Sequence, residues 1–219
     1  MTAALRDRAV PRRSAQSPRR RAEEIVSAAA AVFAERGYHG SSTQDIADRL
    51  GIRQASLYYY FPSKEVALEI VCTRGVEGFV DQAAFAAASS GTAAERIRRL
   101  IRGHLTPLDD RRAFVQVFLR ERQNLPDDSR KRVGRLSRRY ERIVQEILAG
   151  GVRSGELRAD LDCRLAALAL LGLCNAVPAW YGKEPGATLE RIVDEFARLV
   201  LEGVRATRAS VRRKSSRKG

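Results

Sequence analysis

The sequence predicts an all-α protein, a three-helix head followed by a larger helical body, with about nine helices in all. Three observations predict it. The apolar periodicity along the 219 residues repeats at 3.6, and no alternating stretch is long enough for a useful strand. Capping and breaking residues divide the chain into helix-sized pieces: Ser17-Pro18, Gly37, Ser42, Gly51, Pro62, Pro107 and Pro126. Residues 42–65, STQDIADRLGIRQASLYYYFPSKE, hold two short helical patterns on either side of one glycine.

The elements follow in order. Residues 1–17 form a flexible basic arm. Ser17 and Pro18 open the first helix, whose buried stripe is Ala22, Ile25, Val26, Ala29, Val32 and Phe33, and Gly37 ends it near Arg36. Ser42 with Asp45 makes a capping box for the second helix. There Ile46, Ala47 and Leu50 share a face, and Gly51 supplies the turn. The third helix runs through Leu57 to Phe61 and stops at Pro62, because the residue before a proline is pushed out of the helical region. Two short helices crossing at such a turn make a helix-turn-helix, whose second helix enters the DNA major groove. The DNA-binding head is thus residues 18–65.

The body is residues 66–205. Ser63 caps a long fourth helix that fades near Ala88, and a fifth spans about Ala93 to Leu105. Asp109 or Asp110 caps a sixth, and Asp127 and Asp128 begin a seventh that reaches the Gly150-Gly151 region. Asp160 or Asp162 starts an eighth, interrupted at Pro178 and ended by residues 182–186, and the ninth is Leu189 to Val204. Residues 206–219 read as a basic disordered tail.

The net charge of +14 is concentrated at the ends. Residues 1–21 carry seven arginines and one acid, residues 205–219 carry seven bases and no acid, and residues 22–65 have four bases against six acids. Phosphate neutralisation on DNA therefore leans on the arms. The three cysteines, Cys72, Cys163 and Cys174, are scattered, which argues against zinc or a disulfide framework and fits reduced thiols in a cytoplasm. No run of about 18 apolar residues suggests a membrane span. The only histidines, His39 and His104, lie in unrelated segments, and no nucleophile elbow or phosphate-cradling glycine loop is present. An enzyme is not expected, nor is a cofactor or a metal.

The order Thr, Ile-Ala, Leu-Gly-Ile, then Leu-Tyr-Tyr-Tyr-Phe-Pro-Ser-Lys-Glu resembles the N-terminal domain of TetR/AcrR transcriptional regulators. From the residues themselves, Arg53, Gln54 and Ser56 stand at the exposed start of the recognition helix, and small Ala55 allows close approach to a base. Arg19, Arg20 and Arg21 sit in the first turn of the first helix, where cations oppose the macrodipole unless they face phosphates. Tyr58, Tyr59 and Tyr60 cannot all face the core, since neighbours on a helix lie about 100° apart. The resemblance implies that Tyr59 and neighbouring hydroxyls, Lys64 and Thr43 meet backbone phosphates.

The resemblance also implies a homodimer, joined by a four-helix bundle from the last two helices. Leu165, Leu168, Ala169, Gly172, Leu173 and Ala176 supply one side, and Ile192, Phe196, Leu199 and Val200 the other. The effector region draws on the few aromatic residues of the body, among them Phe79, Phe114, Phe118, Tyr140 and Trp180, as walls of an apolar cavity. Residues 111–142 hold eleven bases against four acids, including Arg122 and Arg139. The segments FLRERQNLPDD and LGLCNAVPAWYGKEPG, the second containing Asn175, resemble the branch that senses CoA thioesters of fatty acids or steroid fragments. Guanidiniums suit the phosphates of such a ligand. The chain is thus expected to be a ligand-responsive repressor, released from a palindromic operator in double-stranded DNA by a small apolar or acyl-CoA effector. A non-specific architectural DNA binder acting through its basic tails is the alternative.

Overall fold

The structure is a computed structural model that describes residues 17–205; the expected basic arm and tail lie outside the described residues. All nine expected helices are present, and a short extra one brings the described total to ten α-helices and one 3-10 turn. The head comprises α1 (Pro18–Arg36), α2 (Thr43–Leu50) and α3 (Gln54–Leu57). The body comprises α4 (Lys64–Ala88), α5 (Ala93–Leu105), α6 (Pro107–Asp110), α7 (Arg112–Glu121), the 3-10 turn Arg122–Asn124, α8 (Asp127–Ser154), α9 (Cys163–Trp180) and α10 (Leu189–Val204).

Local chemistry accounts for most boundaries. Ser17 accepts from the Arg20 amide, and Gly37 ends α1 at φ 70°. The capping box of α2 is complete: Asp45 N–H donates to Ser42 Oγ at 3.1 Å and Ser42 N–H to Asp45 Oδ2 at 2.7 Å. Gly51 follows in the left-handed conformation that suits a residue without a Cβ. Thr92 and Glu95 make a second capping box on α5, and Asp162 caps α9 through the amides of Arg164 and Leu165, both at 2.9 Å.

Four local expectations are corrected. The sequence predicts the third helix as far as Phe61. It ends at Leu57, and the amides of Tyr60 and Phe61 both donate to Leu57 O at 2.9 Å, a tightened turn that swings Phe61 into the core. Asp109 and Asp110 do not cap α7, because Pro107 starts a helical turn of its own that contains them. Gly150 and Gly151 lie inside α8, which runs on to Ser154 and stops at left-handed Gly155. A Cβ on Gly151 would stand 2.7 Å from Ala93 Cβ and from Leu157, so this glycine permits close packing rather than ending the helix. Pro178 sits within α9, which continues to Trp180, since its missing amide costs only one bond near the helix end.

Two apolar clusters fill the interior. The first gathers Ile25, Ala29 and Phe33 of α1, Ile46 of α2, Leu57, Phe61, and the first half of α4 through Val76. It also takes Val117 and Phe118 of α7, Leu125, and Val133 of α8. The second unites the rest of α4 with α5, α8, α9 and α10 around Phe79, Leu100, Ile101, Tyr140 and Val144, and includes Val115 of α7. Helix α7 is therefore shared, with different faces of one turn committed to different cores. Helix α9 has a mean hydropathy of 1.5 over 18 residues, apolar enough by composition to cross a membrane, which the sequence reading does not foresee. It carries Arg164, paired with Glu141 of α8 at 2.8 Å, and buries Ala167, Leu170, Leu171 and Cys174 against the body.

Candidate nucleic-acid interface and effector region

The capped α2 and the glycine turn hold α3 out from the head by Leu57 and Phe61, both fully buried. What remains of α3 faces outward. Arg53, Ala55 and Ser56 are exposed, and Tyr59 is 86% exposed with its ring edge-on to Tyr60 at 5.1 Å. Gln54 is half-buried and already oriented: its Nε2 donates to Thr43 Oγ1 at 2.7 Å and reaches Tyr58 Oη at 3.5 Å. Its amide oxygen is left for a donor. Thr43, Gln54 and Tyr58 thus form one polar row across both helices of the motif.

The cations differ in freedom. Arg19 is exposed and has no ion pair among the described residues, whereas Arg20 and Arg21 pair with Glu24 at 3.8 and 3.2 Å. Lys64 is anchored. Its ammonium donates to Tyr38 O at 2.8 Å and Ser41 O at 2.7 Å and lies 4.3 Å from the Tyr38 ring centroid. It ties the loop between α1 and α2 to the start of α4, with one donor remaining outward.

That loop is also tied to the body. Tyr38 N–H donates to Glu121 Oε2 at 3.2 Å, and His39 Nε2 lies 3.0 Å from Asn124 Oδ1. Asn124 Nδ2 donates to Glu121 at 2.8 Å, which joins the two contacts into one network. Tyr38 Oη donates to Glu65 at 2.9 Å; burial and this carboxylate push its hydroxyl up to about 12. Sequence reasoning misses this junction. Its partners are 83 and 85 residues apart, and nothing in a local pattern pairs them.

Helices α9 and α10 present an apolar face with no partner among the described residues. Leu165 is 63% and Leu199 60% exposed, and Leu168, Ala169, Gly172 and Ala176 are exposed beside them. Leu173 and Val200 are half-buried in the lining of a groove of about 430 Å³ between the two helices, and Phe196 is half-buried on α10. Ile192 does not belong to this face: it is turned into the monomer's own core, next to fully buried Val193.

Of the expected effector residues, the structure brings Phe79 and Tyr140 together, around a residue that sequence reasoning assigns no role. His104 of α5 stacks on Phe79, with centroids 4.5 Å apart and planes 10° apart, and shares a hydrogen bond of 2.7 Å between Nδ1 and the Tyr140 hydroxyl. Its Nε2 is buried and unbonded; Asn175 is a polar neighbour without hydrogen-bonding geometry. Burial, only partly opposed by Asn175, pulls the imidazole down to about 4, so it is neutral at physiological pH. Burial also pushes Cys174 up to about 12, which makes it an inert thiol. The signal was present: His104 lies at helical spacing from Leu100 and Ile101, on the buried stripe of α5.

The other expected residues lie elsewhere. Phe118 belongs to the head-side core and carries the Arg122 guanidinium 5.2 Å from its ring centroid, while Phe114 packs beside it over Gly75. Trp180 is half-buried at the end of α9, and Arg139 is exposed on α8.

Comparison with known proteins gives the frame for this geometry. Residues 25–69 match the family model of bacterial regulatory proteins, tetR family, and residues 90–204 that of the tetracyclin repressor-like C-terminal domain. The chain is 28% identical to the fatty acid metabolism regulator protein of Bacillus subtilis over 184 residues, covering 83% of this chain and 94% of that one. It is 26% identical to the HTH-type transcriptional repressor KstR2 of Rhodococcus jostii over 185 residues, covering 84% and 91%. Among solved structures, the TetR family regulator PfmR of Thermus thermophilus superposes with a TM-score of 0.76 at 29% identity, over 81% of this chain and 97% of that chain. AibR, solved with isovaleryl coenzyme A and operator DNA, has the same fold, with a TM-score of 0.75 at 24% identity over 82% and 97%. With its head and body both matched, and in the order the fold requires, the chain belongs to the TetR family of transcriptional regulators.

Proposed function

We propose that this regulator is a homodimeric repressor whose hold on operator DNA is released by a CoA thioester. Arg53, Gln54, Ala55 and Ser56 read base edges, with Gln54 presented by Thr43 and Tyr58. Tyr59, Tyr60, Lys64 and the arginines Arg19 to Arg21 meet phosphates. One head reads half a site, so two are needed, about 34 Å apart for successive major grooves. The apolar face of α9 and α10 supplies the contact that pairs them. Action on chromosomal DNA places the protein in the cytoplasm.

The observation that carries ligand response is the sharing of α7. Val115 belongs to the body core and Val117 and Phe118 to the head core, while Glu121 at the end of the helix and Asn124 of the 3-10 turn that follows hold the head loop. An acyl group that opens the core around Phe79, Tyr140 and His104 repacks the body-facing side of α7, and the head-facing side moves with it. The Nε2 of neutral His104 gives such a group one polar contact in otherwise apolar surroundings. A ligand shifts the equilibrium only by its preference for the released arrangement. The similarity to a fatty acid metabolism regulator and the fold shared with CoA-bound AibR support a CoA ester as the effector.

Selection from a random duplex pool tests the first half: the protein should enrich an inverted repeat. Fluorescence anisotropy on that duplex tests the second. Acyl-CoAs of graded chain length should release it, and the free acids should not. Enrichment of no repeat, or release by no CoA ester, would overturn the corresponding half.

A further inference from the structure

A second groove lies where the 3-10 turn meets α8. It encloses about 410 Å³, within the size range of small-ligand sites, roughly 300–1,000 Å³. Its floor is Leu125 and Val133, and its rim carries Arg122, Arg130, Arg138 and the Ser137 hydroxyl. The carboxylate among its lining residues, Glu141, is held by Arg164 at 2.8 Å. Arg130 pairs with Asp127, but Arg122 and Arg138 have no acidic partner among the described residues.

Two features show guanidiniums held in place at some expense to the helix. Arg135, Arg138, Arg139 and Arg142 make four pairs at spacings of three or four along α8, all exposed and none in an ion pair among the described residues. Like charges at those spacings weaken a helix. Arg138 folds back over Gly134, where a Cβ would stand 3.3 Å from its Nη1, so a glycine in mid-helix makes room for the guanidinium. Arg122 is steadied from the other side by the Phe118 ring. Planar guanidiniums lining a groove with a hydroxyl and an apolar floor suit phosphate groups on a flat heterocycle.

We infer that the groove between the 3-10 turn and α8 is a phosphate subsite that takes the nucleotide end of the CoA thioester, with Arg122 and Arg138 as its ligands. This rests on the CoA reading of the effector. It adds a second point of action, because the turn that bears Arg122 also bears Asn124, which holds the head loop through His39. A nucleotide drawing Arg122 into the groove strains that contact directly, without waiting for repacking of the body core.

Isothermal titration of the full-length protein with palmitoyl-CoA, adenosine 3′,5′-bisphosphate and ADP tests it, with Arg138→Ala, Arg122→Ala and Arg138→Lys variants whose melting temperatures confirm folding. The bisphosphate should bind the wild type weakly, with an affinity that falls as salt rises. Arg138→Ala and Arg122→Ala should each weaken palmitoyl-CoA at least tenfold, and Arg138→Lys should fall between wild type and alanine. Equal palmitoyl-CoA affinity in folded wild type and alanine variants would remove the subsite while leaving the CoA reading standing. Arg138-dependent binding of the bisphosphate with no binding of palmitoyl-CoA would keep the subsite and remove the CoA reading. ADP binding as tightly as the bisphosphate would replace the CoA nucleotide by a free nucleotide.

Discussion

In the proposed DNA contact, Gln54 is already bonded on one side. Its amide N–H is taken by Thr43, so the side chain presents its oxygen and loses little freedom on binding. Gln54→Ala should therefore weaken binding to the selected repeat by about 1–3 kcal/mol, roughly ten- to a hundredfold, while affinity for random duplex stays near wild type. Gel shifts on both DNAs measure it, and an equal loss on both would mean that Gln54 does not read sequence. His104 gives a second prediction at this scale. Its imidazole is at about 4 in the folded chain against 6.5 for the free side chain, so the unfolded chain takes up the proton first. The stability of the neutral form is complete above about 6.5 and lost as pH falls towards 4, a change of roughly 3 kcal/mol. Urea midpoints between pH 7 and 4 should fall accordingly, and His104→Gln should flatten the slope whatever its effect on stability at pH 7.

At the scale of the element, what was legible in the sequence was what is decided locally. Ser17, Ser42 and Asp162 announce their helices because a cap involves neighbours three residues away or fewer. The boundaries that differ were decided by tertiary packing. Gly150-Gly151 looks like a stop, yet α8 continues because Gly151 lets α5 and the Leu157 turn approach. Gly151→Ala should thus destabilise the protein by about 1–3 kcal/mol, despite the better helix propensity of alanine. Thermal unfolding checks it, and a raised melting temperature would show that Ala93 and Leu157 can give way. The exposed row on α3 was equally legible, since a short helix with Leu57 inside leaves Arg53, Ala55 and Ser56 out, although Phe61 reaches the core through the turn after the helix. The Glu121–Tyr38 and Asn124–His39 contacts were not, because they join segments more than eighty residues apart.

At the scale of the whole molecule, α9 is apolar on two sides: one face fills the body core, and the other is exposed among the described residues and is the face proposed to meet a second copy. That explains why a helix of this composition passes for a membrane span. Leu165→Glu with Leu199→Glu should place like charges across the pairing face and convert the dimer to monomer in sedimentation velocity. Operator affinity should fall by at least tenfold, because a lone head retains only half a site. A folded dimer in the double variant would move the interface elsewhere.

The shared α7 has a consequence for modularity. The head core is completed by Val71 and Val76 of α4 and by Val117 and Phe118 of α7, so residues 18–65 cut from the chain would expose the surface those side chains cover. The DNA reader is not a detachable cassette. A chimera that grafts this head onto another body must bring α7 with it or rebuild the contact, and sequence change in α7 is constrained on two faces at once.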